Sequence, residues 1–299
     1  MKIERTVTAV AVAFTAAVLL EVDLIGQTSA LPMAPYGQLA GCSEKPAEFH
    51  RCALEKAKIF NPPRMPDGTP DFRGYWARAR VSTDNIEEHP RSFENPGGVS
   101  MVVDPADGKI PYQPWAAALR QTHPAIYYDT QSACFAPGPP RQAYAPGGYQ
   151  ILQTAGALTF LSEFAHTYRV VPTDGRPHIA SNIRLALGDS RGKWEGNALV
   201  VDITNLRAQS WFDHMGNFYS GAAHIVERWT MIAPDAIHYE GRIEDPRVYT
   251  RPWTIAFGIR RNAGQDNELM EVACYEGSRS ELTDIGLKHF PYGGVTVPR

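Results

Sequence analysis

The second half of the chain consists of short segments with the pattern of β-strands. They are rich in β-branched and aromatic residues, and turns containing Gly, Pro, Asp and Asn separate them. The predicted strands cover residues 150–154, 158–171, 198–204, 223–232, 237–243, 254–260 and 269–274. Because almost no helix intervenes, the pattern favours an antiparallel sheet that closes or nearly closes on itself. We therefore predict an all-β fold, an antiparallel β-barrel.

The residues before this region predict a short helix and a first strand. Ser43 is a candidate cap, Pro46 suits the first helical turn, and the helix must end before Asn61-Pro62-Pro63. The first barrel strand begins in 72–76, and the excursion at 82–148 carries a short strand at 99–103 and a helix at 114–120. The expected organisation is a signal peptide at 1–30, an N-terminal clasp at 31–71 and one barrel domain at 72–299.

The excursion at 82–148 is dense in proline and lacks strong periodicity. A segment this long is more often a functional lid or rim than a linker, although a well-packed rim is the plainer alternative. We expect it to border a cavity.

The first thirty residues have the pattern of a secretory signal. Lys2 and Arg5 precede an apolar run at 6–20, and small residues at 28–30 suit a cleavage site after Ala30. A membrane anchor is the alternative, but the run is shorter than the ~20 apolar residues of a span. We expect a secreted or periplasmic protein without a membrane span after cleavage. The net charge of -3 gives no reason to expect a nucleic-acid partner, so a small molecule is the expected ligand.

Export favours disulfides for the four cysteines. Cys42 and Cys52 flank a short segment and suit a local pair, which leaves Cys134 and Cys274 for a second bond. Four cysteines allow three pairings, so the other two stay open.

Strand alternation suggests which ionisable residues share a face. If 158–171 is one strand, His166 and Tyr168 lie with the apolar Phe160, and Arg169 lies on the opposite face. In 223–232, Glu227 lies with Trp229. A plain barrel core has one nearly apolar face per strand, so this mixture suggests that His166, Tyr168 and Glu227 point into a cavity. A hydrogen-bonded core position is the plainer alternative for each.

Two histidine-rich regions, at 166–178 and 211–228, suit proton transfer, because histidine titrates near neutral pH. The candidate catalytic residues are His166, Tyr168, His224 and Glu227. The candidate substrate-binding residues are Arg169, Arg176, His178, Asp213, His214 and Tyr219. In this scheme His166 or His224 is the base, Tyr168 or Glu227 the acid, and Arg169 or Arg176 the anion clamp.

A metal site is the second interpretation of the same histidines. His166, His178, His214 and His224 lack the helical spacing of zinc proteases, but ligands on separate strands need no local motif. We predict no resident organic cofactor and keep a divalent metal as an alternative. Gly188-Asp189-Ser190-Arg191-Gly192 has the Gly-x-Ser-x-Gly spacing but lacks the strand-to-helix setting of a nucleophile elbow. Asp189, Arg191 and Lys193 are expected to form a polar turn.

Several blocks carry a resemblance to a known family. At PDGTPDFRGYW, HTYRVVPTDGRPH, GDSRGKWEGNALVVDITN, HIVER and IEDPRVYTRPWT, the chain resembles an uncharacterised family of secreted bacterial β-rich proteins that is frequent in soil bacteria. The resemblance implies an exported β-domain and supplies no catalytic residues. Family members commonly have His where this chain has Tyr219. In addition, Gly74-Tyr75-Trp76 resembles the start of lipocalin and other calycin barrels.

These observations lead to three functional hypotheses. The first is a secreted β-barrel enzyme that applies His/Tyr/carboxylate acid-base chemistry to a small organic or sugar-derived substrate, as a lyase, isomerase or hydrolase. The second is a calycin-like protein that binds a small molecule without transforming it. The third is a metal-dependent enzyme with a His-rich site.

Overall fold

A computed structural model describes residues 35–91, 97–133, 135–262, 268–270 and 272. The expected signal peptide, the proposed Cys134–Cys274 bond and half of the strand expected at 269–274 lie outside these residues.

One antiparallel sheet forms most of the molecule. Its strands are β3 Gly74–Arg78, β4 Val102–Asp104, β5 Gly148–Thr154, β6 Ala157–Ser162, β7 Tyr168–Pro172, β8 Asp189–Glu195, β9 Ala198–Thr204, β10 His224–Ala233, β11 Ala236–Glu244 and β12 Trp253–Arg261. Nine of them follow the order β7-β6-β5-β3-β12-β11-β10-β9-β8, while β4 pairs with β12 outside this path. The predicted all-β barrel is confirmed. The barrel is nearly closed, since the end strands β7 and β8 lie side by side; we call the line between them the seam.

The remaining elements are short. A hairpin of β1 Gln38–Leu39 and β2 Cys42–Ser43 precedes helix α1, Pro46–Ile59, and helix α2 covers Pro114–Ile126. Two 3-10 turns lie at Thr130–Ala133 and Arg141–Tyr144. Helix α2 extends beyond the predicted 114–120. No helix in the described part of the chain meets the length and apolarity of a membrane span.

The barrel interior is filled by aromatic and aliphatic side chains. Trp229 packs edge-on against Tyr239 with ring centroids 4.8 Å apart, and Phe160 lies 5.0 Å from Trp229. The gap that these rings leave beside Tyr149 has no room for a water molecule. Burying each such ring contributes about 2 kcal/mol, which favours a packed interior over a hollow one. A ligand site therefore has to be sought where the wall opens.

Two predicted boundaries at the seam are wrong. The single strand expected at 158–171 is divided into β6 and β7, which pair with each other with Phe160 opposite Arg169. A turn at 163–167 separates them, in which Ala165 and His166 have φ of 53° and 47°. The turn resets the alternation, so Arg169 points inward while Tyr168 and Val170 point outward, with exposures of 68% and 47%.

The prediction of a polar turn at Asp189, Arg191 and Lys193 is also wrong, because these residues lie in strand β8.

The glycine at position 192 lets this polar strand lie against β7 at the seam. A Cβ on Gly192 would lie 2.8 Å from Val171 Cγ1 on β7, so the missing side chain lets the two end strands approach.

Helix α1 packs on the outer wall of the barrel. Its Phe49 and Ala53 join Leu39, Ile232 and Ala236 in a second, smaller core. The helix starts at Pro46 with Lys45, rather than Ser43, at the N-cap. The predicted Cys42–Cys52 disulfide is confirmed, with 5.8 Å between the Cα atoms. It ties β2 to the helix and so holds the N-terminal segment against the barrel.

Candidate functional site

A buried polar cluster lies inside the barrel at the seam, formed by Arg169, Glu227, Ser190, Tyr239 and Trp229. The Arg169 guanidinium donates to Glu227 Oε1 at 3.2 Å and Oε2 at 2.7 Å, and its Nε donates to Ser190 Oγ at 3.0 Å. Tyr239 and Trp229 donate to the same carboxylate at 3.0 and 3.3 Å. The pair connects β7 to β10 across the interior, and Ser190 adds a link to β8.

Neither charge of this cluster is free. Glu227 is fully buried and Arg169 is 4% exposed, so the ion pair lies in a low-dielectric interior. Removing either partner would leave the other charge buried without compensation. Burial, with the Glu227 carboxylate as a second cause, raises the pKa of Tyr239 far above its ordinary value, so the phenol stays protonated. Arg169 is therefore committed to Glu227, and the sequence hypotheses of a free anion clamp and a free acid have no support from these contacts.

Directly outside the seam lies a cleft of about 500 Å³, which we call the seam cleft. It is lined by Ala136, His166, Thr167, Tyr168, Arg169, Val170, Leu185, Ala186, Leu187, Gly188 and Ser190. Its walls are the turn before β7 with β7 itself, and the end of the connection from β7 to β8. Ala136 shows that the excursion at 82–148 borders it. Volume and lining are those of a typical small-molecule site, which is mostly apolar with a few polar groups.

Hydrogen bonds fix the turn that carries His166. Glu163 accepts from the Tyr75 hydroxyl at 2.6 Å, from Gly148 N at 2.8 Å and from Met270 N at 2.9 Å. Burial raises the pKa of Glu163, but these hydrogen bonds outweigh it and the net pKa is lowered. The Ser162 amide donates to Thr167 O at 2.8 Å and closes the turn. His166 and Tyr168 are thus presented on a defined rim of the seam cleft.

The opposite wall is anchored to the end of β9. Leu185 N donates to Asn205 O at 2.9 Å, and Gly188 N donates back to Leu185 O at 3.2 Å. Gly188 has φ of 65°, and a Cβ there would lie 2.8 Å from Leu206 Cδ2. Only glycine satisfies both the conformation and the space, so the wall is held close to the barrel.

Two other candidate residues, His178 and His224, approach each other on the outside of β8–β10 rather than in the seam cleft. The His178 ring bonds Asp189 Oδ2 at 2.6 Å, and the His224 ring bonds Asp202 Oδ1 at 2.6 Å. His178 Nε2 lies 3.8 Å from the same Asp202 oxygen. Both histidines and Asp202 are partly exposed to solvent, and Asp202 was not recognised from the sequence.

The remaining candidates lie apart from the seam cleft. Buried Asp213 accepts from Ile86 N at 2.9 Å and Asn217 N at 3.1 Å, and burial raises its pKa. His214 pairs with Asp129 at 3.2 Å, and exposed Arg176 pairs with Asp174. Tyr219 is buried, which raises the pKa of its phenol. These contacts organise loops, and the four histidines of the metal hypothesis do not come together in one group of ligands.

Sequence reasoning missed Ser190 and the wall at 185–188. The polar block Gly188-Asp189-Ser190 was noticed in the sequence, but it was interpreted as a turn rather than as the start of a strand. The wall carries no chemical signature, since Leu185, Ala186 and Leu187 are ordinary apolar residues that acquire a role only by their position.

Comparisons with known proteins identify no relative. No protein-family model, no curated protein and no solved structure matches the chain.

Proposed function

We propose that the protein binds a small, largely apolar organic molecule in the seam cleft. The observation that carries the proposal is the cleft itself, about 500 Å³ with aliphatic walls and a few hydrogen-bonding groups at its base and rim. Apolar surface supplies affinity in such sites, and the few polar groups orient the ligand.

The ligand is expected to be uncharged. Arg169 lies at the base of the cleft, but its charge is neutralised by Glu227. An anion would find no free cation among Ser190, Thr167 and the aliphatic walls. A ligand hydroxyl or carbonyl instead suits the Ser190 hydroxyl and the His166 ring.

The site of action is expected to be outside the cytoplasm. The Cys42–Cys52 disulfide supports an oxidising compartment, where such bonds persist. The signal-like residues 1–30 support the same location. Secretion or periplasmic location thus forms part of this proposal.

The experiment uses the neutral fluorophore N-phenyl-1-naphthylamine as a probe, titrated into the purified protein. Val170→Glu places a charge in the cleft, and we expect at least about 10-fold weaker binding, the equivalent of ~1.4 kcal/mol. Leu152→Glu is the matched control, because Leu152 is also an aliphatic strand residue and is 45% exposed, against 47% for Val170. Equal losses in both variants, or no binding by the wild type, would refute the proposal.

Acid-base catalysis on the bound molecule is the second candidate. It is favoured by His166 and Tyr168 on the rim, and by the positive φ of both Ala165 and His166. Non-glycine residues in this conformation cost about 1 kcal/mol or more each, and such strain is often found at functional sites. A lyase, isomerase or hydrolase with His166 as base and Tyr168 as acid fits this rim.

A neutral ester, p-nitrophenyl butyrate, provides a simple assay for this chemistry. If His166 is the base, His166→Ala lowers the hydrolysis rate by about 100-fold or more, and added imidazole restores part of it. An unchanged rate in His166→Ala, or no turnover by the wild type of this ester and of any co-purified molecule, would leave binding as the function.

A further inference from the structure

His50, His238 and Glu240 form a compact group on the outer wall, away from the seam. Within the described part of the chain, theirs is the only group of three His, Cys, Asp or Glu side chains whose donor atoms all lie within 4.8 Å of one another. His50 belongs to helix α1, and His238 and Glu240 belong to β11. Because they are two positions apart on a strand, the latter two share the outward face, opposite to inward Tyr239.

The donor atoms already face each other. His50 Nδ1 lies 3.0 Å from His238 Nε2 and 3.9 Å from Glu240 Oε1. The other ring nitrogen of His238, Nδ1, lies 3.8 Å from the second Glu240 oxygen. One donor atom from each of the three residues lies within 4.8 Å of the other two, between the helix and the barrel.

The chemistry of the donor groups suits ligation. A neutral imidazole binds a metal through a ring-nitrogen lone pair, and a carboxylate adds a negatively charged oxygen ligand.

We propose that His50, His238 and Glu240 form a binding site for a divalent transition metal, with zinc as the preferred ion. Two histidines and one glutamate are an established ligand set for zinc with an open fourth position. Imidazole and carboxylate exclude a preference for calcium or magnesium, which take oxygen ligands only.

The required rearrangement is small. With metal–nitrogen bonds of ~2.0–2.1 Å in a tetrahedral site, two ligand nitrogens are separated by roughly 3.3 Å. The present 3.0 Å between the imidazoles is within a few tenths of an ångström of that value. Glu240 is 22% exposed, so its carboxylate can rotate to complete the set without a backbone change.

The site would have two consequences. An ion here ties α1 to the barrel in addition to the disulfide and so stabilises the N-terminal clasp. Its fourth position would take water or a small ligand, and a groove of about 290 Å³ lined by His238, Glu240, Arg228 and Lys58 lies next to it. The site does not depend on the seam cleft.

The test uses the full chain stripped with EDTA and then titrated with ZnCl₂ against a chromophoric chelator. We expect one zinc per chain and a raised melting temperature. His50→Gln and the near-isosteric Glu240→Gln should each weaken zinc binding at least ~10-fold and abolish the thermal shift. His178→Gln, which alters a different His–carboxylate pair, should bind zinc like the wild type.

Circular dichroism of the zinc-free variants separates lost ligation from lost folding, since His50 is partly exposed and its replacement by Gln should leave the fold intact. The inference is overturned if the wild type binds no stoichiometric zinc, or if folded His50→Gln and Glu240→Gln bind zinc as tightly as the wild type.

Discussion

The inner and outer faces of the barrel wall both carry ionisable residues, but the surroundings of these residues differ between the two faces. On the inner face, the Glu227 carboxylate accepts four hydrogen bonds from Arg169, Tyr239 and Trp229. On the outer face, the comparable groups border open space: Tyr168 at the seam cleft, and His238 with Glu240 beside a groove.

The difference teaches how to distinguish structural from functional polar groups in this chain. An inner group with every partner inside the protein closes the barrel and has nothing left for a ligand. An outer group that faces a cleft or groove lies where a ligand can reach it. The face of the strand on which a residue lies decides between these two cases. On β7, Arg169 points inward and the adjacent Tyr168 points outward.

The largest expected effect comes from breaking the inner pair. Glu227→Gln leaves the Arg169 charge buried without a partner, so we expect it to lower the free energy of unfolding by about 3–5 kcal/mol in urea titrations. Glu195→Gln removes the carboxylate of the half-exposed Arg228–Glu195 pair on the outer face and should cost less than ~1 kcal/mol.

Similar losses in the two Glu→Gln variants would contradict the distinction between the faces. It would mean that the Arg169–Glu227 pair is solvated and contributes no more than a surface ion pair.

Breaking the link across the seam should have an intermediate effect. Ser190→Ala removes the acceptor of the buried Arg169 Nε, so the expected loss of stability is about 1–3 kcal/mol. Thr154→Ala, at an exposed position on β5, should change the stability by no more than ~0.5 kcal/mol. Calorimetric melting of both variants provides the comparison, and an unaffected Ser190→Ala would show that water replaces the hydroxyl at the seam.

Much of the fold was predictable from the sequence, because turn residues and alternation mark each strand independently. The bounds predicted for β9, 198–204, are those of the structure, and Cys42 with Cys52 formed the expected bond. The failures lie at the seam. Residues 163–167 look continuous with the strands on either side, and the anchoring of Glu163 by the distant Tyr75 and by Gly148 helps to hold them as a turn.

The candidate site was predictable only in part, for the same reason. His166 and Tyr168 were identified as site residues, but the reasoning placed them inside the barrel, whereas they lie outside at the seam cleft. His50 had no sequence signal, since its partners His238 and Glu240 are almost 190 residues away. Local alternation reports the face of a strand, but which distant element covers that face depends on tertiary packing.

The smallest expected effect concerns the turn that carries His166. Because the pKa of folded Glu163 is lowered from 4.5, its contribution to stability is present above pH 4.5 and is lost as the pH falls through the folded pKa. Glu163→Gln should therefore be less stable than the wild type at pH 7, and the difference should shrink below pH 4.5. Urea unfolding at pH 7 and pH 3.5 measures this, and a difference that is equal at both pH values would contradict the lowered pKa.

The most direct measurement of the central claim is a crystal structure of the protein with 4-bromobiphenyl, a neutral apolar molecule whose bromine is located by anomalous scattering. We predict the bromine signal in the seam cleft, between Val170 and the wall of Leu185 to Gly188. A signal inside the barrel beside Trp229, or only in the groove next to α1, would contradict the account.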